Sequence, residues 1–290
     1  MLMKKEFLTK SATYLMAGLA FTLFTAGMCE SDPKDDPKDD PIDTPSNPSN
    51  PSTPSTTYKD KWFGLVNEDK KSVNVDGNTL TYGNHTYTVK GEINYDATEH
   101  KTPTAWVEFT NIPSGYTEFK AVYEGLLGKS VPGTAAMIPM AEEIYARDFT
   151  TGEKCFKLLC NSDATVSGIL RILKTKIVLS KYSDENDQYI QRYLPAALLQ
   201  GATYTNAYAP DEPYTVAMCS HVTPPQEVSI TADGTVYYIY ILTSGGWGEE
   251  SFQRGMEIYQ NWDGGLYKVW NCPNAYVQCR NIRGTWAGLK

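Results

Sequence analysis

The spacing of apolar residues changes twice along this chain, and that change restricts the folds open to it. Up to residue 110 the runs SVNV, TLTY, TYTVKGEINY and WVEFT alternate β-branched or aromatic residues with polar ones, punctuated by Asp76-Gly77-Asn78, Gly83-Asn84 and Pro113. This is the period of two that half-buried antiparallel strands require. Between Gly133 and Leu194 the period becomes helical: Met137, Ala141, Ile144 and Tyr145 share one face, Phe156, Leu159 and Cys160 another, and Val166, Ile169, Leu170, Leu173 and Ile177 form a third stripe. The spacing predicts three to four helices. Thr151 with Glu153 and Ser162-Asp163 supply N-terminal caps, one helix starts near Pro139 or kinks there, and Pro195 stops the last helix after Tyr189, Ile190, Tyr193 and Leu194. After Gly201 the alternation returns in PYTVAMCS, EVSIT, TVYYIYILTS, MEIYQNW, LYKVWN and AYVQCRNI. Asp233-Gly234 predicts a type I′ hairpin there, and Asp263-Gly264-Gly265 a second turn. The expected class is α+β, with N-terminal antiparallel strands, a central cluster of three to four helices and a C-terminal antiparallel sheet.

The first 57 residues are excluded from that fold. Lys4, Lys5 and Lys10 precede an uncharged apolar run from Ala12 to Met28, the charge and length pattern of a signal peptide over residues 1–28. The run is just short of a membrane span and lacks a basic stop-transfer flank. It ends in Ala26-Gly27-Met28-Cys29, which resembles a bacterial lipoprotein box with Met28 in place of the usual small residue; Cys29 is then the lipidated thiol. Ordinary cleavage beside an incidental cysteine is the plain alternative. Residues 29–57 continue with DPKD repeats and a Pro-Ser-Asn-Thr tract, too poor in apolar side chains to offset the entropy of ordering, and so read as a disordered acidic stalk. Acids directly after the Cys resemble the surface-export signal of some lipoproteins. The expected address is the cell surface or outer membrane, with membrane attachment through the lipid. The folded region divides into a β-rich segment at 58–104 and an α+β domain at 105–290.

The chain carries a net charge of −8, to which the stalk contributes −5 and the first ten residues +2, so the folded region is also near −5. An acidic body lacks the basic stripe that neutralises phosphates, and nucleic acid is excluded as a partner. Beyond Cys29 lie Cys155, Cys160, Cys219, Cys272 and Cys279, an odd number that leaves at least one thiol outside any intramolecular disulfide; Cys272 with Cys279 is the one pairing short enough in sequence to consider.

Several stretches then act together: WVEFTNIPSGYTEFKAVYEG, the helical segment, YLPAALLQGATYTNAYAPDEPYTVAM, ILTSGG, RGMEIYQNWDGGLYKVW and VQCRNI. They resemble a family of bacterial domains of unknown function over about Ala105 to Arg283. The joint matches best, through Tyr193, Pro195, Gly201, Ala202, Thr203, Asn206, Tyr208, Pro210, Pro213 and Tyr214. The resemblance implies fold and boundaries; it carries no activity and no catalytic residue.

Chemistry-bearing motifs are sparse. His85, His100 and His221 are scattered, no HxxxH, HxH, CxxC or GxSxG occurs, and Ser244-Gly245-Gly246 lacks the lysine and helix of a phosphate loop, so no cofactor and no metal is expected. Cys219 and His221 alternate on one strand face, the minimum for a thiol and base, but a half-buried Cys beside a surface His is the favoured reading of them. The remaining clue is aromatic: 20 Tyr and 6 Trp, with Trp247, Tyr259, Trp262, Tyr267 and Trp270 concentrated in the last strand pair. Cross-strand core pairing is one reading of them. The other is a binding face in the 244–270 region for a glycan or protein ligand, with Trp247, Glu249, Glu250, Trp262 and Trp270 as its residues. The leading expectation is a non-catalytic binding or structural module. The alternative is a secreted hydrolase of glycan or peptide using carboxylates from separate strands.

Overall fold

The computed structural model describes residues 65–97, 100–176, 194–203, 206, 208–221, 228–243, 252–273 and 275, all within the compact unit Pro54–Lys290. The expectations for residues 1–57, for the last helix up to Tyr193 (its expected final residue, Leu194, is described and lies in a turn), for Trp247, Glu249, Glu250 and Cys279, and for nearly all of the strand at 275–282 lie outside the described residues.

Among the described residues nine strands form one sheet: β1 (Val73–Asp76), β2 (Thr79–Tyr82), β3 (His85–Gly91), β4 (Ala105–Phe109), β5 (Tyr214–Ser220), β6 (Val228–Ile230), β7 (Gly234–Thr243), β8 (Phe252–Asn261) and β9 (Lys268–Asn271). The order is β1-β2-β3-β4-β5-β7-β8-β9, with β6 paired to β7, and every pairing between these strands is antiparallel. The N-terminal and C-terminal strands therefore belong to a single sheet, joined where Val107 pairs with Val216 and Phe109 with Tyr214. Gly77 (φ 56) and Gly83 (φ 61) each take the first position of a two-residue turn, a left-handed conformation that glycine adopts without steric cost. Asp233-Gly234 does not form the expected type I′ turn. Ile230 pairs with Thr235, Thr231 and Gly234 close a longer loop (Thr231 N–H to Gly234 O, 2.9 Å), and Gly234 instead admits the Tyr259 ring, 2.3 Å from where a Cβ would stand.

The helical segment is an excursion between the neighbouring strands β4 and β5. It contains α1 (Tyr116–Gly125), α2 (Val131–Arg147), α3 (Phe149–Leu159) and α4 (Asp163–Lys176). Leu80, Tyr87, Val107, Phe109, Tyr214, Val216, Ile239, Ile241, Met256 and Ile258 join Phe119, Met137, Ile144, Phe156 and Leu173 in one buried cluster, so one sheet face and the helical stripes share a core. Helix α2 is the centre of it: every residue from Val131 to Ala146 is buried.

Two local expectations are corrected. Of the two alternatives for Pro139, the start near it is overturned, because helix α2 starts eight residues earlier and contains it; the start is set by Ser130, whose Oγ accepts the Gly133 N–H at 3.2 Å, and by Pro132 in the first turn. Burial of the whole helix outweighs the ~3 kcal/mol that an interior proline costs. Asp148, not Thr151, caps α3, accepting the Thr151 N–H at 2.7 Å. Ser162 caps α4 as expected, accepting the Thr165 N–H at 3.2 Å. Helix α1 has no cap of its own. The Glu68 carboxylate accepts the Tyr116 and Thr117 N–H groups at 2.9 and 2.7 Å from 48 and 49 residues away.

Candidate functional site

Acids buried between the helices and the sheet are the first candidates for chemistry. Glu118, in the first turn of α1, is fully buried and accepts four hydrogen bonds. Oε1 receives His85 Nδ1 and the Tyr87 hydroxyl, both at 2.7 Å, and Oε2 receives the Ser114 N–H at 2.8 Å and the Ser114 hydroxyl at 2.7 Å. Burial pushes its pKa up, but the bonds from His85, Ser114 and Tyr87 prevail and hold it below the ordinary value. Asn111 Nδ2 lies 3.0 Å from His85 Nε2, which assigns the ring proton to Nδ1. A carboxylate-oriented imidazole is half of a nucleophile-activating pair, yet here an amide occupies the position a hydroxyl or thiol would need. The network fastens the 111–114 turn and α1 to β3.

Glu142, on α2, has the opposite environment. It is fully buried, neither carboxylate oxygen has a hydrogen-bond partner, and burial raises its pKa well above the ordinary range despite the attraction of buried Arg254 on β8. Its neighbour Glu143 is bound to Arg147 at 2.8 Å. Cys219 Sγ donates to His100 O at 2.9 Å and its pKa is pushed up by burial to about 11, while the His221 ring stacks on Tyr240 at 4.3 Å, which fits the favoured reading of a buried thiol beside a separately placed His. Among the described residues Cys155, Cys160, Cys219 and Cys272 are free buried thiols; Cys279, the partner considered for Cys272, lies outside them.

The described residues of the joint, 201–203, 206 and 208–214, are tied together by Asn206. Its Nδ2 donates to Gly201 O and Ala209 O at 2.7 and 2.9 Å, and its Oδ1 accepts the Thr203 and Ala209 N–H groups at 2.9 and 3.2 Å. Tyr208 is held at φ 56 with its side chain buried, and Glu212-Pro213 is cis. The joint delivers the chain into β5, where Tyr214 meets Phe109 edge-on at 5.7 Å.

A shallow opening lies at the β9 end of the sheet. A groove of about 320 Å³ runs between the first two turns of α4 and β9, lined by Ala164, Thr165, Gly168, Ile169, Trp270 and Asn271. Lys268 fixes β9 against the helices, its ammonium bonded to Leu158 O and 5.0 Å from the Tyr123 ring centre, with its pKa lowered by burial. The Thr165 hydroxyl lies 3.1 Å from Trp270 O, and the Trp270 ring packs on Tyr259 at 5.3 Å. A Cβ built on Gly168 meets nothing within 4 Å, so the groove is open there.

Of the residues expected to bind, Trp270 lines this groove. Trp262 is 58% exposed but stands beyond Asn261 at the turn following β8. Thr243 and Phe252, which bracket residues 244–251, pair at the other end of the ten-residue β8, about 30 Å away at ~3.3 Å per residue. The fold thus brings Trp270 and Tyr259 together and sets Trp262 apart from the ends of the 244–251 segment. Thr165 and Gly168 carried no signal in the sequence, because each only precedes a core residue of the helical stripe, Val166 or Ile169.

Among the described residues no helix is long and apolar enough to cross a membrane, and no group of three or more His, Cys, Asp or Glu could hold a metal ion. No curated protein and no solved structure matches the chain. A family model, described as Domain of unknown function (DUF6935), matches residues 111–283, from the Asn111 turn through all four helices to beyond β9. That match covers more than half of the chain, which therefore belongs to the DUF6935 family of domains of unknown function.

Proposed function

We propose that this chain is an exported surface protein, lipid-anchored at Cys29 and carried on an acidic stalk, whose folded region is a non-catalytic binding module for a glycan or protein ligand. The observation that carries the binding reading is the α4–β9 groove, where Trp270, Thr165 and Asn271 meet open space over Gly168 and no charged residue lines it among the described residues. Small pockets that combine an aromatic surface with a few polar groups are the usual form of a ligand site. Support for the address is the charged start, apolar run, Cys29 and acidic stalk at the N-terminus.

The test is an array of glycans and proteins probed with the full chain, followed by titration of each hit with Trp270→Ala and Gly168→Leu. Both substitutions are expected to weaken binding by at least about fivefold, the loss of ~1 kcal/mol or more that an aromatic anchor supplies, with the thermal melt retained. A hit unaffected by either substitution would place binding elsewhere. Labelling cells with a fatty-acid analogue tests the anchor: wild type should be tagged and Cys29→Ser should not, and equal labelling refutes lipidation.

A further inference from the structure

The two ends of the sheet are finished differently. At β9 the outer edge is closed from within: Asn161 N–H donates to Val269 O at 3.0 Å, Cys160 forms a parallel bridge with Val269, and the Thr165 hydroxyl reaches Trp270 O. At β1 all four residues are exposed, with Val73 and Val75 at 48% and 45%. This strand precedes the residues matched by the family model.

The hydrogen-bond parity of the β1–β2 hairpin identifies which groups are open. Gly83 N–H donates to Ser72 O at 2.9 Å, so in an antiparallel ladder Asn74 with Thr81 and Asp76 with Thr79 are also bonded pairs. Val73 with Tyr82 and Val75 with Leu80 are the non-bonded pairs, and their N–H and C=O groups point away from β2. On the N-terminal side the edge is already capped, because Lys71 N–H donates to the Tyr82 hydroxyl at 3.1 Å and that hydroxyl donates to Asp69 O at 2.7 Å. The open edge is therefore two residues, Val73 and Val75, one position either side of Asn74. Both side chains lie on the face that carries the helices, beside Leu80, and Val75 is a neighbour of Gly125 in α1.

We propose that β1 is a self-association edge, pairing antiparallel with β1 of a second copy of this chain about a two-fold axis at Asn74. In that register Val73 of each copy faces Val75 of the other and the two residues exchange both backbone bonds, giving four in all. A register shifted by one repeat would need the Lys71 N–H that Tyr82 holds. Ser72 faces the second copy's Asp76, which brings the Lys70-Lys71 pair of one copy beside the acid of the other. Lysines ordinarily protect an edge by repulsion, but here the pairing is charge-complementary. The occupant favoured by these observations is this chain itself, since both the spacing of the open groups and the charge pattern are self-complementary.

Two substitutions read this out in the full chain. Asn74 faces its own copy in a non-bonded pair, where Cα atoms stand ~4.5 Å apart, within disulfide range. Under mild oxidation Asn74→Cys is expected to give about tenfold more covalent dimer than Ser72→Cys, whose own copy stands four residues along, or than wild type. Val75→Pro removes an outward N–H that β1 does not use internally, a position where an edge strand tolerates proline; the circular dichroism and melt should persist while the doubled mass seen by light scattering at high concentration falls to that of a monomer. A monomer at every concentration, together with no excess cross-linking of Asn74→Cys over Ser72→Cys, overturns the proposal, whether the edge is bare or covered by a segment of the same chain.

Discussion

Replacing Glu142 tests whether a carboxylic acid sits neutral in the centre of this fold. Its two oxygens are buried on α2 without hydrogen-bond partners, and Arg254 is buried on the facing strand. If the two formed an ion pair, Glu142→Gln would leave a buried charge uncompensated and cost about 3–5 kcal/mol. Burial outweighs the attraction of Arg254 here, so the folded protein holds the proton more tightly than the unfolded chain does. The linkage sign follows: with the folded pKa raised above 4.5, the native state binds more protons than the unfolded state in that window. Stability then falls as pH rises above about 4.5, by up to ~1.4 kcal/mol per pH unit, until the folded pKa is passed. Glu142→Gln does not ionise. It should match wild type within about 0.5 kcal/mol near pH 4 and exceed it progressively as pH rises; at ~2–4 °C per kcal/mol for a unit of this size, thermal melts from pH 4 to 8 resolve the divergence. Glu142→Met, which removes the unpartnered oxygens while keeping the volume, should stabilise by about 1–3 kcal/mol at neutral pH. A pH-independent difference, or several kcal/mol of destabilisation by Glu142→Gln, would refute the neutral-acid reading.

Glu118 should give the opposite pH signature. Its folded pKa is held below 4.5, so its contribution is present above that value and is lost as pH falls toward the folded pKa; Glu118→Gln should remove this acid-side loss, and at neutral pH cost about 2 kcal/mol or more in denaturant titrations, because the amide keeps one acceptor oxygen and strands the donors at the other, those of Ser114 or those of His85 and Tyr87. Gly152→Ala should destabilise by at least about 2 kcal/mol, since the new methyl would stand 2.2 Å from Tyr145 Cα where α3 approaches the backbone of α2. Gly168→Ala, into open space on α4, should leave the melt unchanged or raise it slightly, a control for the groove substitutions.

Period and turn chemistry are local signals, and what they encode was legible. The α+β class, the glycine turns at Gly77 and Gly83 and the Ser162 cap all follow from residues a few positions apart. The pairing of β4 with β5 was not, because about a hundred residues separate Phe109 from Tyr214 and nothing in either strand names its partner. The Glu68 cap on α1 escaped for the same reason. Asp233-Gly234 misled because the dipeptide that favours a type I′ turn also suits a loop in which the missing Cβ makes room for Tyr259. Glu142 and Glu143 are adjacent acids that sequence alone does not tell apart; only burial of the helix on every side distinguishes the unpartnered acid from its neighbour, which has Arg147 one turn on. Trp270 was legible as an aromatic candidate, but its groove is completed by α4, a helix 100 residues earlier in sequence.

The family match begins at Asn111, yet the sheet that covers α1 and α2 begins at Val73, and this mismatch yields a prediction about the folding unit. Removing residues up to 110 deletes β1–β4, and with them the buried side chains Leu80, Tyr87, Val107 and Phe109. At about 1.5–3 kcal/mol for each buried side chain, the loss is comparable with the whole 5–15 kcal/mol margin of a typical domain. The same cut strips Glu118 of His85 and Tyr87, takes the Glu68 carboxylate from the start of α1, and exposes the β4-facing edge of β5 over Tyr214–Met218. An unpaired, apolar central strand is an aggregation site. A fragment of residues 111–290 is therefore expected to be insoluble or to lack a cooperative melt, whereas one starting at residue 65 should melt like the full chain. Should the shorter fragment remain monomeric and unfold cooperatively within a few degrees of the longer one, the N-terminal strands are an accessory layer and the matched region is a complete folding unit by itself.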